Sequence, residues 1–146
     1  MAKQTALDTL IELAQRDTDD AAKRLGAALK TVDEAEQKLN MLLGFRDDYG
    51  VKLEAAQVAG ITPMAYRNFV AFIDKLEVAI NGQRDIVRHA TQKSATEKSA
   101  WQASERKRLS YRTLSERAAA QALRLENKLD QKQMDEHAAR QAYHKR

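Results

Sequence analysis

Apolar residues recur at alternating steps of three and four through the first third of the chain. The run extends from Leu7 to Ala56, and 13 of its 15 positions are apolar, with Thr18 and Arg46 as the two exceptions. An average spacing of 3.5 residues keeps one stripe of a helix against a partner helix over many turns. The pattern therefore predicts a long helix that pairs with another helix.

The segment Ala59–Pro63 is the strongest break in the chain. Gly60 suits the left-handed conformation that closes a helix, and Thr62 before Pro63 is typical of an N-cap followed by proline at the first helical position. The same spacing resumes at Tyr66, thins between Ser94 and Ser115, and recovers between Ala118 and Leu129. These signals predict a first helix over about 5–58, a turn at 59–63 and a second helix over about 64–140.

The predicted fold is all-α: one antiparallel two-helix coiled-coil hairpin that forms a single domain over residues 1–146. With the turn near Gly60, residue i of the first helix lies beside about residue 122 − i of the second. The second helix then extends beyond its partner after Ala118.

The composition favours a narrow helical seam over a globular core. Charged residues make up 32% of the chain and aromatic residues 5%, and there is no cysteine. Residues 1–62 hold 8 Lys/Arg against 11 Asp/Glu, whereas residues 63–146 hold 17 against 10. Opposite charges favour pairing of the two helices, and the surplus positive charge is expected on the overhanging part of the second. We find no signal segment or apolar span and expect a cytoplasmic protein.

The sequence offers no recognisable catalytic or metal site. His89, His137 and His144 are isolated, and the acidic run at 17–20 lacks the glycine and distal glutamate of a calcium loop. The expectation is a protein that is not an enzyme and has no cofactor. Four basic residues near Trp101 and Tyr111 have three interpretations: a solvated helix face, a collar for an acidic protein surface or, ranked last, a nucleic-acid patch. They are Arg106, Lys107, Arg108 and Arg112.

Apolar residues around Leu42 cover more of the helix than a two-stranded seam requires. At 100° per residue they span about 200°, against little more than about 100° for a seam. In the facing segment of the second helix, Phe72 and Ala79 lie to one side of Leu76, and Ile73, Ile80 and Tyr66 lie to the other. Two interpretations are open: a locally thicker core or dimer contact, and an exposed aromatic patch that docks a partner protein.

Several motifs resemble the FliJ family, the small coiled-coil stalk proteins of the bacterial flagellar type III export apparatus. The most specific is Asp-Gln-Lys-x-Met-Asp-Glu-x-Ala-x-Arg at 130–140, and the others are Asp-Asp-Ala-Ala at 19–22, Lys-Leu-Asn-Met-Leu at 38–42 and Leu-Glu-x-Ala-Ile at 76–80. Lys38 and Gln83 depart from the family pattern, since similar proteins have Gln and His there.

The resemblance implies a hairpin similar to the central stalk subunit of rotary ATPases. Its paired termini would bind the hexameric export ATPase and promote ring assembly and turnover. Its turn end would contact the cytoplasmic domain of the export gate membrane protein, giving peripheral membrane association. It would also escort export chaperones, and no nucleic acid would be bound. A general chaperone that holds unfolded substrates at the turn end is the alternative.

The resemblance also assigns residues to the two partners. The gate-facing residues, named here the tip patch, are Leu42, Phe45, Tyr49, Phe72, Leu76 and Ala79. The ATPase-facing residues, named here the tail site, are Gln131, Lys132, Met134, Asp135 and Glu136.

Overall fold

The computed structural model describes residues 2–145, with side chains from residue 6 onward, and is built from two helices in this range. Helix α1 comprises Ala2–Ala59 and helix α2 comprises Pro63–His144. The predicted fold class, an all-α hairpin of two long helices packed against each other, is confirmed. The helices begin and end within a few residues of the positions that the spacing indicated.

The connection between the helices has the geometry that its residue types favour. Gly60 has a φ of 93°, the left-handed region in which a side chain is strained. The Thr62 hydroxyl accepts a hydrogen bond from the Ala65 backbone N–H at 3.2 Å, and α2 begins at Pro63. The predicted C-terminal glycine and N-cap are therefore both confirmed.

Replacing Gly60 with Ala is expected to destabilise the protein by about 1 kcal/mol, because the added Cβ must sit at positive φ. Gly82 provides a control of opposite sign. It is helical and a Cβ added there meets nothing within 4 Å. Gly82→Ala should therefore stabilise by about 0.5–1 kcal/mol. Urea unfolding followed by circular dichroism measures both, and equal signs would contradict this account of the turn.

The chain divides into two compact units. One consists of the segment up to Asp19 together with the segment from Ala103 onward, and the other is Asp20–Gln102. The second, named here the turn unit, contains the turn and the tip patch. The first, named here the end unit, contains the tail site.

The turn unit has a seam of small residues on α1 facing larger ones on α2. Ala21, Ala28 and Ala35 recur every seven residues and are at most 7% exposed. On α2, Ile80 is fully buried and Leu76 is 8% exposed. Side-chain contacts join residues 24 and 97, 46 and 77, and 49 and 72. In each pair the second residue number is within one of 122 minus the first, which confirms the antiparallel register expected from the position of the turn.

The end unit contains a paired segment of the two helices, followed by a segment of α2 that no described residue of α1 covers. Ala14 and Thr18 are buried, and the Thr18 hydroxyl donates a hydrogen bond to the Ala14 carbonyl at 2.8 Å. Every residue from Glu116 to Lys145 is exposed. The apolar stripe that recovers at 118–129 thus lies on α2 with no described α1 residue to cover it.

The expected location of the surplus positive charge was wrong. Residues 116–145 contain 6 Lys/Arg and 5 Asp/Glu, whereas residues 63–115 contain 10 and 5. The excess therefore belongs mainly to the part of α2 that pairs with the acidic α1, where opposite charges attract across the seam.

Candidate functional site

The tip patch is partly surface and partly seam. Phe45 and Phe72 are 46% and 40% exposed, and Ala79 is exposed as well. Leu42 and Tyr49 are half-buried, and Leu76 is buried. The exposed members show that the apolar arc of this region is wider than the seam it has to cover.

Aromatic side chains of both helices meet in the patch. The Tyr49 and Phe72 rings lie 4.4 Å apart between centroids with a 38° tilt, and the Phe69 ring is 6.5 Å from Tyr49 in an edge-on arrangement. The Lys52 Nζ atom lies 5.1 Å from the centre of the Tyr49 ring. Aromatic contacts of this kind hold the rings in defined positions.

A shallow groove of about 320 Å³ opens beside these rings. Its lining consists of Tyr49, Ala65, Asn68, Phe69 and Phe72. Of these, Ala65, Asn68 and Phe69 were absent from the residues predicted for the patch. Phe69 lies three residues after Tyr66 and so continues the 3–4 spacing of the seam, and a count of residues one and two turns before Phe72 would have found the other two. None of the five lining residues is acidic or basic and three are aromatic, so the groove suits an apolar side chain.

An ion pair crosses the seam at the level of the tip patch. The Arg46 Nη1 atom lies 3.3 Å from the Glu77 Oε1 atom, and the Arg46 Nε atom lies 3.7 Å from the Asp47 Oδ1 atom. The Arg46 and Glu77 side chains are 32% and 43% exposed. Arg46 is the position that interrupted the apolar spacing of α1, so its charge is balanced by residues on both helices.

Gln83 lies inside the seam. It is 4% exposed, and its side-chain amide donates a hydrogen bond to the Ala35 carbonyl at 3.0 Å. A buried amide that lacked this acceptor would be costly. Gln83 thus contributes to the packing of the helices and is inaccessible to a docked partner.

The tail site lies entirely on the uncovered part of α2. Gln131, Lys132, Met134, Asp135 and Glu136 are all exposed, with Met134 at 72%. At 100° per residue they cover about 200° of the helix circumference. Leu125 and Leu129, which the predicted site did not include, are 57% and 62% exposed one to two turns earlier. Mixed charges beside exposed apolar side chains are typical of a protein-binding helix.

The basic cluster is partly neutralised by neighbouring acids. Arg108 donates two hydrogen bonds to the Glu105 carboxylate, and this pairing holds the pKa of the Glu105 carboxyl below its ordinary value. The Arg112 Nε atom lies 3.4 Å from the Glu116 Oε1 atom. These pairs reduce the positive potential that a nucleic-acid phosphate would meet.

Two further classes of site were sought among the described residues. Over residues 2–145, no group of three or more His, Asp or Glu side chains is placed to hold a metal ion. Neither of the two helices, in the part described, has an apolar stretch that could cross a bilayer. The tip patch and the tail site both expose apolar side chains beside polar ones, and we take them as the candidate functional surfaces.

Comparison with known proteins agrees with the family indicated by the motifs. The family model described as "Flagellar FliJ protein" matches residues 3–146. The flagellar FliJ protein of Escherichia coli (strain K12) is 38% identical over 145 residues, and that of Salmonella typhi is 37% identical over 145 residues. Each comparison covers 99% of this chain and 99% of the relative. The chain therefore belongs to the FliJ family and is a component of the flagellar protein export apparatus.

Proposed function

We propose that this chain is a non-enzymatic stalk and adaptor of the flagellar export apparatus. It binds the hexameric export ATPase through the tail site and promotes ring assembly and turnover. It contacts the cytoplasmic domain of the export gate membrane protein through the tip patch, and it escorts export chaperones. It forms a single hairpin domain over residues 1–146 and acts in the cytoplasm, held at the membrane only through the export apparatus.

The uncovered length of α2 is the observation that carries this proposal. Thirty consecutive residues, from Glu116 to Lys145, are exposed, and those at 118–129 have the apolar spacing of a paired helix. An apolar stripe left open in this way favours association with another protein. The motif that resembles the family most specifically, at 130–140, lies within the same segment.

The arrangement of the tip patch supports a second, separate partner. Phe45 and Phe72 are 46% and 40% exposed, and aromatic residues including Phe are enriched in the cores of protein–protein interfaces. The patch belongs to the turn unit, whereas the tail site belongs to the end unit. Different partners can therefore be assigned to different units.

A general chaperone that grips unfolded substrates at the turn end has less support. Such a protein needs helices that separate to admit an extended chain. Here the two helices are joined beside the turn by the Tyr49–Phe72 ring contact and the Arg46–Glu77 ion pair. Competition with unfolded filament subunits distinguishes the two functions, because a stalk should hold them poorly.

Adding the chain to its cognate export ATPase is expected to increase ATP turnover and to favour ring assembly. The test uses a triple variant in which Lys132, Met134 and Glu136 are each replaced by Ala. Alanine keeps the helix propensity of this segment high. Turnover stimulation should fall at least about tenfold, since exposed contact residues are removed. A control triple variant at the exposed positions Val78, Arg84 and Asp85 should stimulate normally. Absence of binding by the unmodified chain at every ratio would refute the ATPase role.

A further inference from the structure

We infer that the Arg46–Glu77 ion pair positions the tip patch, by fixing the rotation of the two helices against each other beside the turn. This inference rests on the proposed function in one respect, namely that the patch docks a partner. Arg46 and Glu77 are positioning residues here; the partner touches the rings that they hold in place.

Position 46 is unusual because a charged residue occupies a seam position that the spacing assigns to an apolar one. It falls between Leu42 and Tyr49 in the 3–4 spacing of α1. The other interruption, Thr18, satisfies its hydroxyl within its own helix. Arg46 instead reaches across the seam, with its Nη1 atom 3.3 Å from the Glu77 Oε1 atom. The pair therefore links α1 to α2, which an apolar side chain at 46 would not do with any directional preference.

The pair and the rings lie on opposite sides of the seam. Measured from Leu42 at 100° per residue, Tyr49 lies at about −20°, Phe45 at about −60° and Arg46 at about +40°. Measured from Leu76, Phe72 lies at about −40° and Glu77 at about +100°. Because the two helices are antiparallel and face each other, angles of equal sign on the two helices point to the same side of the seam. The rings thus lie on one side of the seam, named here the front, and the ion pair lies on the other side, named here the back.

Two contacts on opposite sides of the seam determine how each helix is turned about its own axis. The front contact joins Tyr49 and Phe72 at 4.4 Å, and the back contact joins Arg46 and Glu77. Both ion-pair side chains are about one-third to two-fifths exposed, at 32% and 43%. A pair with this exposure adds little stability, so its effect is on orientation more than on folding.

Fluorine NMR observes this orientation directly. The three phenylalanines of the chain are Phe45, Phe69 and Phe72, so uniform labelling with 4-fluorophenylalanine reports on this region alone. Single Phe→Leu variants assign the three signals. Docking is measured on the same samples as the affinity for the purified cytoplasmic domain of the export gate protein.

Arg46→Gln and Glu77→Gln should each shift the Phe72 signal and weaken docking by about three- to tenfold. The exchange Arg46→Glu with Glu77→Arg should restore the signal and bring the affinity to within about twofold of the unmodified chain. Arg46→Leu separates orientation from stability, because it should raise the unfolding midpoint while still shifting the signal and weakening docking. Arg24→Gln is the matched control, since Arg24 pairs across the seam with Glu97 at 3.4 Å, remote from the rings.

Unchanged Phe72 signals in both glutamine variants would overturn the inference, as would a shift that the charge exchange does not reverse. Shifted signals with unchanged docking would show that the orientation does not matter to the partner, which also overturns it. If the unmodified chain does not bind the gate domain, the proposed gate contact fails. The fluorine signals then still decide whether the pair orients the rings.

Discussion

The substitution Ile80→Ala is expected to lower the free energy of unfolding by about 2–5 kcal/mol. Ile80 is fully buried, and its antiparallel register places it opposite residues of α1 near Leu42. Removing three carbon atoms leaves a cavity between two helices that are held together by one narrow seam. Urea unfolding followed by circular dichroism at the helical minimum measures the change.

Ile86 offers a control of the same residue type on the same helix. It is 53% exposed, so Ile86→Ala should change the free energy of unfolding by less than about 1 kcal/mol. Similar losses for Ile80 and Ile86 would indicate that the seam does not carry the stability of the hairpin. A second copy of the chain covering Ile86 in solution would be one cause to examine.

The substitution Phe72→Ala is expected to reduce affinity for the export gate domain by at least about tenfold with helicity nearly intact. The ring is 40% exposed, lies 4.4 Å from Tyr49 and lines the groove. Tyr49→Ala should act in the same direction, because it removes the other half of this aromatic contact. Isothermal titration with the purified domain measures the affinity, and circular dichroism measures the helicity.

Val78→Ala is the matched control for the patch. Val78 is 73% exposed and lies about 200° from Leu76 on the helix circumference, away from the rings. Its replacement should leave docking unchanged. A large loss of helical signal in Phe72→Ala would instead place that ring in the structural core.

The spacing of apolar residues was sufficient to predict the seam of α1. All 15 positions from Leu7 to Ala56 in the 3–4 pattern are buried or half-buried. The reason is geometric, since a helix that pairs along its whole length must place every seam residue at the same angular position. Arg46 and Thr18 follow the rule although they are polar, because each finds a hydrogen-bonding partner.

The same reasoning was less accurate where a helix has little or no partner. Tyr66 was predicted to resume the seam, but it is 42% exposed and Ala65 is half-buried in its place. One turn after Pro63 the helices have just begun to pack, so the spacing is not yet constrained. The stripe at 118–129 has the pattern of a seam but is exposed, and here the register correctly predicted that α2 extends beyond α1 after Ala118.

The contacts that shape the tip patch could not be read from spacing alone. Angular positions placed Phe72 and Tyr49 within apolar arcs wider than the seam, yet they do not give the distance between the two rings. The Arg46–Glu77 pair was also missed, because an interruption of the apolar pattern does not specify its partner across 31 residues. Such contacts depend on side-chain rotamers that the packed helices select.

The central claim is that this chain carries two separate binding surfaces, the tip patch and the tail site. Light scattering coupled to size-exclusion chromatography tests it most directly, with the chain, the export ATPase and the export gate domain mixed together. The account predicts one particle that contains all three proteins, and with Phe72→Ala a particle that keeps the ATPase and loses the gate domain. Displacement of the ATPase by the gate domain would show that the two partners compete for one surface, which contradicts the account.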